Sequence, residues 1–266
     1  HPEKPALVDA TWPAAPHADG GGGVLTYPEV LRRAAQFADF LEAHWQGSGL
    51  GLRVGILARN SHRVMELHFA AARVGVAIVN CNTGATPKEL EFIVSNSGAQ
   101  VLFADIEFST TVEALVSRAP GLKSVIWSGS EDSGASPRGA SSPRSPALSG
   151  VHQSHYHRIV RRLRRKRTPE VQQGLAARSP PVTPRKEEND AGDFPFQIYY
   201  TSGTTGTPKR VELTHHQIAS HALGVCQESC LREEDCWGHF APIFHLVDAF
   251  AMFALTRVGG RHVFLP

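Results

Sequence analysis

Between residues 24 and 127, short β-rich runs alternate with segments of helical spacing, and this alternation narrows the available folds more than any other feature of the chain. Leu52 to Leu57 is an apolar, strand-like run. Ser61 to Val74 follows, with Val64, Leu67, Phe69, Ala71 and Val74 at roughly helical intervals until Gly75 stops them. Val76 to Val79 reads as a second strand. Thr86-Pro87-Lys88-Glu89 then opens another helix: Thr86 can cap it, Pro87 suits a first turn whose N–H would be unpaired anyway, and Glu89 can bond back to the cap. Val101 to Phe103 and Ser124 to Trp127 supply two more strands. The sequence predicts an α/β fold, a layered sandwich of sheet and helices.

The alternation ends after position 127. Between 131 and 150, fifteen of twenty residues are Ser, Gly, Ala or Pro, too little apolar surface to offset chain entropy. His157 to Arg167 (HRIVRRLRRKR) follows with seven Lys or Arg and no acid, and Pro180, Pro181 and Pro184 then keep the chain extended. Residues 131 to 190 carry 12 basic against 6 acidic side chains, so the formal net charge of +2 conceals a local excess. The expected organisation is a first α/β part over 1–130, a disordered Ser/Gly/Pro-rich and basic insert over 131–192, and a second part of the same domain over 193–266. Regular structure is expected to resume near Phe194.

Composition excludes several classes. AVILMFWYC residues make up 41% of the 266, enough for a sizeable core. The longest apolar stretch, Ala241 to Leu255, contains His245 and Asp248, and no run of 18 residues is free of charge, so no membrane span is predicted. Cys81, Cys226, Cys230 and Cys236 form neither a disulfide scaffold nor a CxxC zinc pattern; they read as reduced thiols, with no metal-ligating set. No secretory leader pattern follows His1; the compartment is not legible in the sequence, an intracellular one being favoured.

The chemistry is concentrated in one segment. Phe196 to Tyr200 reads as a strand and runs into Thr201-Ser202-Gly203-Thr204-Thr205-Gly206-Thr207-Pro208-Lys209. Gly203 and Gly206 allow a sharp turn that brings backbone N–H groups against an anion. Thr201, Ser202, Thr204 and Thr205 offer hydroxyl donors, and Lys209 adds a compact positive charge. The spacing fits neither the Walker pattern nor GxGxxG, because Lys209 stands three residues beyond Gly206 and Arg210 follows it.

YTSGTTGTPK resembles the phosphate-binding signature of the adenylate-forming superfamily, which includes acyl-CoA and aryl-CoA synthetases, luciferases and adenylation domains. HPEKPALVD, LTYPEVLRRAAQFADFL, RVGILARNS, ELHFAAARVGVAIVNCN and TPKELEFIVSNSGAQVLFAD resemble the family's amino-terminal segments in order, and residues 241 to 266 resemble the stretch that follows the loop. The resemblance implies the sheet-and-helix fold of the family's large amino-terminal domain, in part. It also implies a two-step reaction, in which a carboxylic acid is activated by ATP to an acyl-adenylate and then transferred to the thiol of coenzyme A. In that reaction Thr201, Ser202, Gly203, Thr204, Thr205, Gly206 and Lys209 would hold the β- and γ-phosphates, with Mg²⁺ sharing the charge. His245, in Pro242-Ile243-Phe244-His245, would border the acyl substrate.

No catalytic residue is located, since the family's later motifs and its carboxy-terminal lid with a catalytic lysine are not found in the sequence; full turnover by this fragment is not expected. The family usually has glycine where Arg210 stands. Strand alternation groups Arg210 with Glu212 on a polar face and Val211 with Leu213 on a buried one, so the guanidinium is expected in solvent. His215 and His216 are read as structural, after a capping pair of Thr214 and Gln217. Two other readings stay open: a non-catalytic nucleotide-binding member, and a basic protein binding nucleic acid or an anionic surface through residues 157–167. The identity of the acid and the oligomeric state are not legible.

Overall fold

The computed structural model describes residues 4–10, 23–44, 51–129, 148–160, 194–201 and 208–265. The elements are β1 (Pro5–Asp9), β2 (Val24–Thr26), α1 (Tyr27–His44), β3 (Arg53–Leu57), α2 (His62–Val74), β4 (Ala77–Asn80), α3 (Pro87–Ser97), β5 (Val101–Asp105), α4 (Ser109–Arg118), β6 (Ser124–Ser128), β7 (His152–His155), β8 (Pro195–Thr201), β9 (Lys209–Thr214), α5 (His215–Glu228), β10 (Cys236–His239), α6 (Leu246–Val258) and β11 (Arg261–Phe264).

Seven strands form one sheet in the order β7-β6-β5-β3-β4-β8-β9, parallel throughout except for the antiparallel β8–β9 pair at one edge. Its inner strands are apolar at nearly every position because both faces are covered. Val101 and Phe103 of β5 join the core beneath α1 and α2, whereas Leu102 and Ala104 join the core beneath α3 and α4. Local signals set the helix ends. Thr86 and Glu89 form a reciprocal capping box, and Gly75 closes α2 in the left-handed conformation at φ 70°, where a Cβ would be strained.

A second sheet, in the order β10-β11-β1-β2, joins the two ends of the sequence: Leu7 pairs with His262 and Asp9 with Phe264 in parallel. Leu7, Leu25 and Phe264 share a core with α1 and α2, and the helices thereby connect the two sheets.

Residues 148–160 correct the expected insert boundary. His152–His155 is β7, paired in parallel with β6 from Ser124↔His152 to Trp127↔His155. The chain then turns helical over 156–160, burying Tyr156, Ile159 and Val160. Backbone pairing at a sheet edge needs no apolar period, so a strand reading His-Gln-Ser-His gives no hydrophobic signal. Tyr156 is held by its hydroxyl, which donates to Glu66 and accepts from Arg33 Nη2 at 3.1 Å. Arg33 Nε also donates to Glu66 Oε1 at 2.7 Å. The remainder of 131–192 lies outside the described residues.

Candidate functional site

The strand predicted from Phe196 to Tyr200 is β8, and it leads into the hydroxyl and glycine segment as expected. Antiparallel pairing with β9 runs to Thr201↔Lys209, so the two ends of the motif lie side by side at the mouth of a hairpin. Both residues are exposed. Ser202, Gly203, Thr204, Thr205 and Gly206 lie outside the described residues. The carboxyl ends of β3 and β4 reach the same edge of the parallel sheet as that of β8, the edge at which open α/β sheets gather their ligands.

The hairpin is fastened to the carboxyl end of α3. Tyr200 donates its hydroxyl proton to Asn96 Oδ1 at 2.7 Å, and Arg210 Nη1 donates to the Asn96 carbonyl at 3.2 Å. Arg210 also pairs with Glu212, whose carboxylate lies 3.8 Å from Arg53 Nη2. The expectation of a solvent-borne guanidinium is therefore corrected. Arg210 is half-buried and Val211 is exposed, because the last carbonyls of a helix attract a cation more strongly than strand alternation excludes one.

His245 is the amino-terminal cap residue of α6, exposed, with no side-chain capping bond and its ring 4.6 Å from that of Phe244. It is on a different element from Thr201 and Lys209. The connection between them runs through α5, which leaves β9 at the Thr214–Gln217 capping box and packs along α6. His215 stacks on Phe196 with ring centres 4.4 Å apart, in keeping with a structural role.

Two polar residues that sequence reasoning did not select hold the segment around His245. Asn60, in the loop after β3, donates to the carbonyls of His239 (3.1 Å) and Ala241 (2.7 Å) and accepts from the N–H of Ile243 (2.8 Å). Asp248, in the first turn of α6, is 2% exposed and accepts from Trp237 Nε1 at 2.9 Å. Its other oxygen lies 2.8 Å from His239 Nδ1. Each left a trace in the sequence: Asn60 is a polar residue directly after a buried strand, and Asp248 is the lone acid in the longest apolar stretch. Phe240, Leu246 and Val247, by contrast, are exposed to 80%, 44% and 63%.

Comparison with known proteins decides the family. The model of the AMP-binding enzyme family matches residues 1–266. The chain belongs to that family. An acyl-CoA ligase, sidI of Aspergillus fumigatus, is 28% identical over 91% of this chain and 38% of its own length. A long-chain-fatty-acid–CoA ligase of Thermus thermophilus is 29% identical over 90% of this chain and 37% of its own length. Among solved structures, the amino-terminal domain of FACL13 from Mycobacterium tuberculosis superposes with a TM-score of 0.68 at 24% identity, over 100% of this chain and 54% of that one. The AMP-binding chain thus has the fold of the large amino-terminal domain, and it spans well under half the length of the curated relatives.

Proposed function

We propose that this AMP-binding chain supplies the phosphate-binding hairpin and part of the acid-binding wall of an ATP-dependent ligase that activates a carboxylic acid and transfers it to coenzyme A. The observation that carries the reading is the pairing of Thr201 with Lys209, which brings the two ends of a Thr/Ser/Gly motif together on the hairpin mouth. A carboxylate oxygen bonds to the α-phosphorus of ATP as the bond to pyrophosphate breaks. A thiolate then attacks the acyl carbon and AMP departs. Charge builds on pyrophosphate in the first step, and a lysine with hydroxyl and backbone donors stabilises it without reorganising.

Thr201 and Lys209, with Ser202 to Gly206 between them, are the groups assigned to the β- and γ-phosphates, and His245 is assigned to the acid. Mg²⁺ would arrive on the ATP phosphates; among the described residues no group of three or more His, Cys, Asp or Glu could hold a metal ion, and no step is assigned to one. The names of the relatives support a carboxylic acid and coenzyme A as substrates. Of the basic run 157–167, only 157–160 lie among the described residues, where Arg158 is exposed and Ile159 and Val160 are buried. Among the described residues no helix is long and apolar enough to cross a membrane.

The test is pyrophosphate–ATP exchange driven by a panel of carboxylic acids in the whole protein. Lys209→Ala should slow exchange about 10- to 100-fold, the loss of one charge-assisted contact of roughly 1.5–3 kcal/mol. Exchange untouched by the substitution removes the hairpin from the reaction. ATP binding with no exchange for any acid leaves a nucleotide-binding member without catalysis.

A further inference from the structure

The first turn of α6 is inverted with respect to its own hydrophobicity. Left to itself, the sequence Leu246-Val247-Asp248 would bury two large apolar side chains and expose the acid. The structure does the reverse, with Asp248 on the inward face beside Ala249 and Met252, and Leu246 and Val247 turned outward next to His245. Such a conflict persists only where specific bonds hold it, and it marks functional surfaces more often than structural ones.

The bonds form a buried chain. Thr256 has one hydroxyl proton, given to the carbonyl of Met252 at 2.7 Å, so its 3.0 Å contact with His262 Nε2 is donated by the imidazole. His262 Nδ1 must then accept from His239 Nε2, 2.9 Å away. His239 Nδ1 and Asp248 Oδ2 are left to share one proton across 2.8 Å. Burial, with His239 alongside, holds the His262 pKa down at about 3, so this ring is neutral and carries the single N–H that the chain requires. Asp248 is thereby gripped by Trp237 through one oxygen and by His239 through the other.

We propose that Asp248 is a positioning residue that, through His239, His262 and Trp237, holds α6 rotated so that Leu246 and Val247 form an apolar wall beside His245, and that the acid activated carries an apolar chain or ring. This rests on the ligase reading above. Asp248 does not touch the acid. It fixes the side chains that do.

The donor order makes a sharp distinction between variants. In Asp248→Asn the amide oxygen can take the Trp237 bond and the amide N–H can serve His239 Nδ1, so every bond survives; Asp248→Ala breaks both. Exchange assays on the whole protein, with fatty and aromatic acids set against short dicarboxylic and sulfonated acids, read the outcome. Wild type should favour the apolar acids. Asp248→Ala should raise KM for the acid by about tenfold or more while KM for ATP stays within about twofold, and Asp248→Asn should stay near wild type. If Asp248→Ala fails to fold, Trp237→Phe keeps the ring against Phe250, 6.2 Å away, and removes a single donor; it should raise the acid KM alone by about threefold. Acid and ATP KM moving together, an unmoved acid KM, an Asn variant as impaired as Ala, or a preference for charged acids overturns the assignment. Wild-type protein that exchanges with no acid overturns the ligase reading itself and the assignment with it.

Discussion

Asn60 commits both of its amide N–H donors and its oxygen to one stretch of backbone, from His239 to Ile243, and so transfers the position of β3 to the segment that ends in His245. Asn60→Asp keeps the acceptor and the shape but removes both donors, leaving two carbonyls facing a carboxylate oxygen. The expected cost is about 1–3 kcal/mol, read as a lower urea midpoint at unchanged slope. An unchanged midpoint would mean that the segment is held by its other contacts. Arg210 acts more weakly, because it is half-exposed and its ion pair with Glu212 is screened. Arg210→Gly should cost about 1 kcal/mol through the lost Asn96 contact and should leave ATP affinity within about twofold, since the guanidinium is committed to α3 and Glu212. A tenfold weaker ATP titration would instead put Arg210 on the phosphates. At this scale the sequence singled out Thr201 and Lys209 because they stand in one contiguous motif, and the structure pairs them across the hairpin. Asn60 and Asp248 were hidden because their partners lie 179 or more and 9 or more residues away, and no local pattern records that pairing.

Helix ends were the most legible elements, because capping depends on neighbours three or four positions apart. Both Thr boxes formed as read, at Thr86 and at Thr214, and Gly75 and Gly98 both close helices at positive φ. Ser61 is the instructive exception. It occupies the cap position of α2 with extended backbone but makes no side-chain cap bond, and its hydroxyl is buried without a partner among the described residues. Thr86→Ala and Thr214→Ala should therefore each cost about 1 kcal/mol, whereas Ser61→Ala should be neutral or slightly stabilising, since it removes an unsatisfied polar group. Thermal midpoints of the three variants check the contrast; a Ser61→Ala loss equal to the others would show that its hydroxyl does cap α2 in solution. The edge strand β7 marks the opposite limit. With His, Gln, Ser and His as its residues it carries no period-two signal, and long-range contacts define it: pairing with β6, the bond from Trp127 Nε1 to Gln153 Oε1, and the Tyr156 contacts to Arg33 and Glu66.

For the whole molecule, the parallel order of β3 to β6 follows from strands joined by helices, but the second sheet does not follow from any local signal. It pairs Leu7 with His262, and only packing against α1 and α2 selects that register. The same burial that closes the layers sets the response to acid. His62, His68 and His262 are pushed down to about 3, 4 and 3, in each case chiefly by burial, from an ordinary value of 6.5. For each of them the unfolded chain takes up the proton first, so stability falls as pH drops below 6.5. Glu66 has the opposite sign: burial pushes its carboxyl up to about 7 from 4.5, against the pull of Arg33, so its contribution grows as pH falls through that interval. These three imidazoles against Glu66 give a net uptake of about two protons on unfolding between pH 6.5 and 4.5, roughly 2–3 kcal/mol per pH unit, to which His215, also lowered by burial, adds and from which Asp105, raised by burial, subtracts. Glu66→Gln isolates the opposing group. The amide stands in for the protonated carboxyl and no longer titrates, so the variant's stability should fall more steeply with acid, at about three protons. Urea midpoints across this range give the proton count directly, and an unchanged slope in Glu66→Gln would mean that Glu66 stays ionised in the fold, with the Arg33 pair outweighing burial.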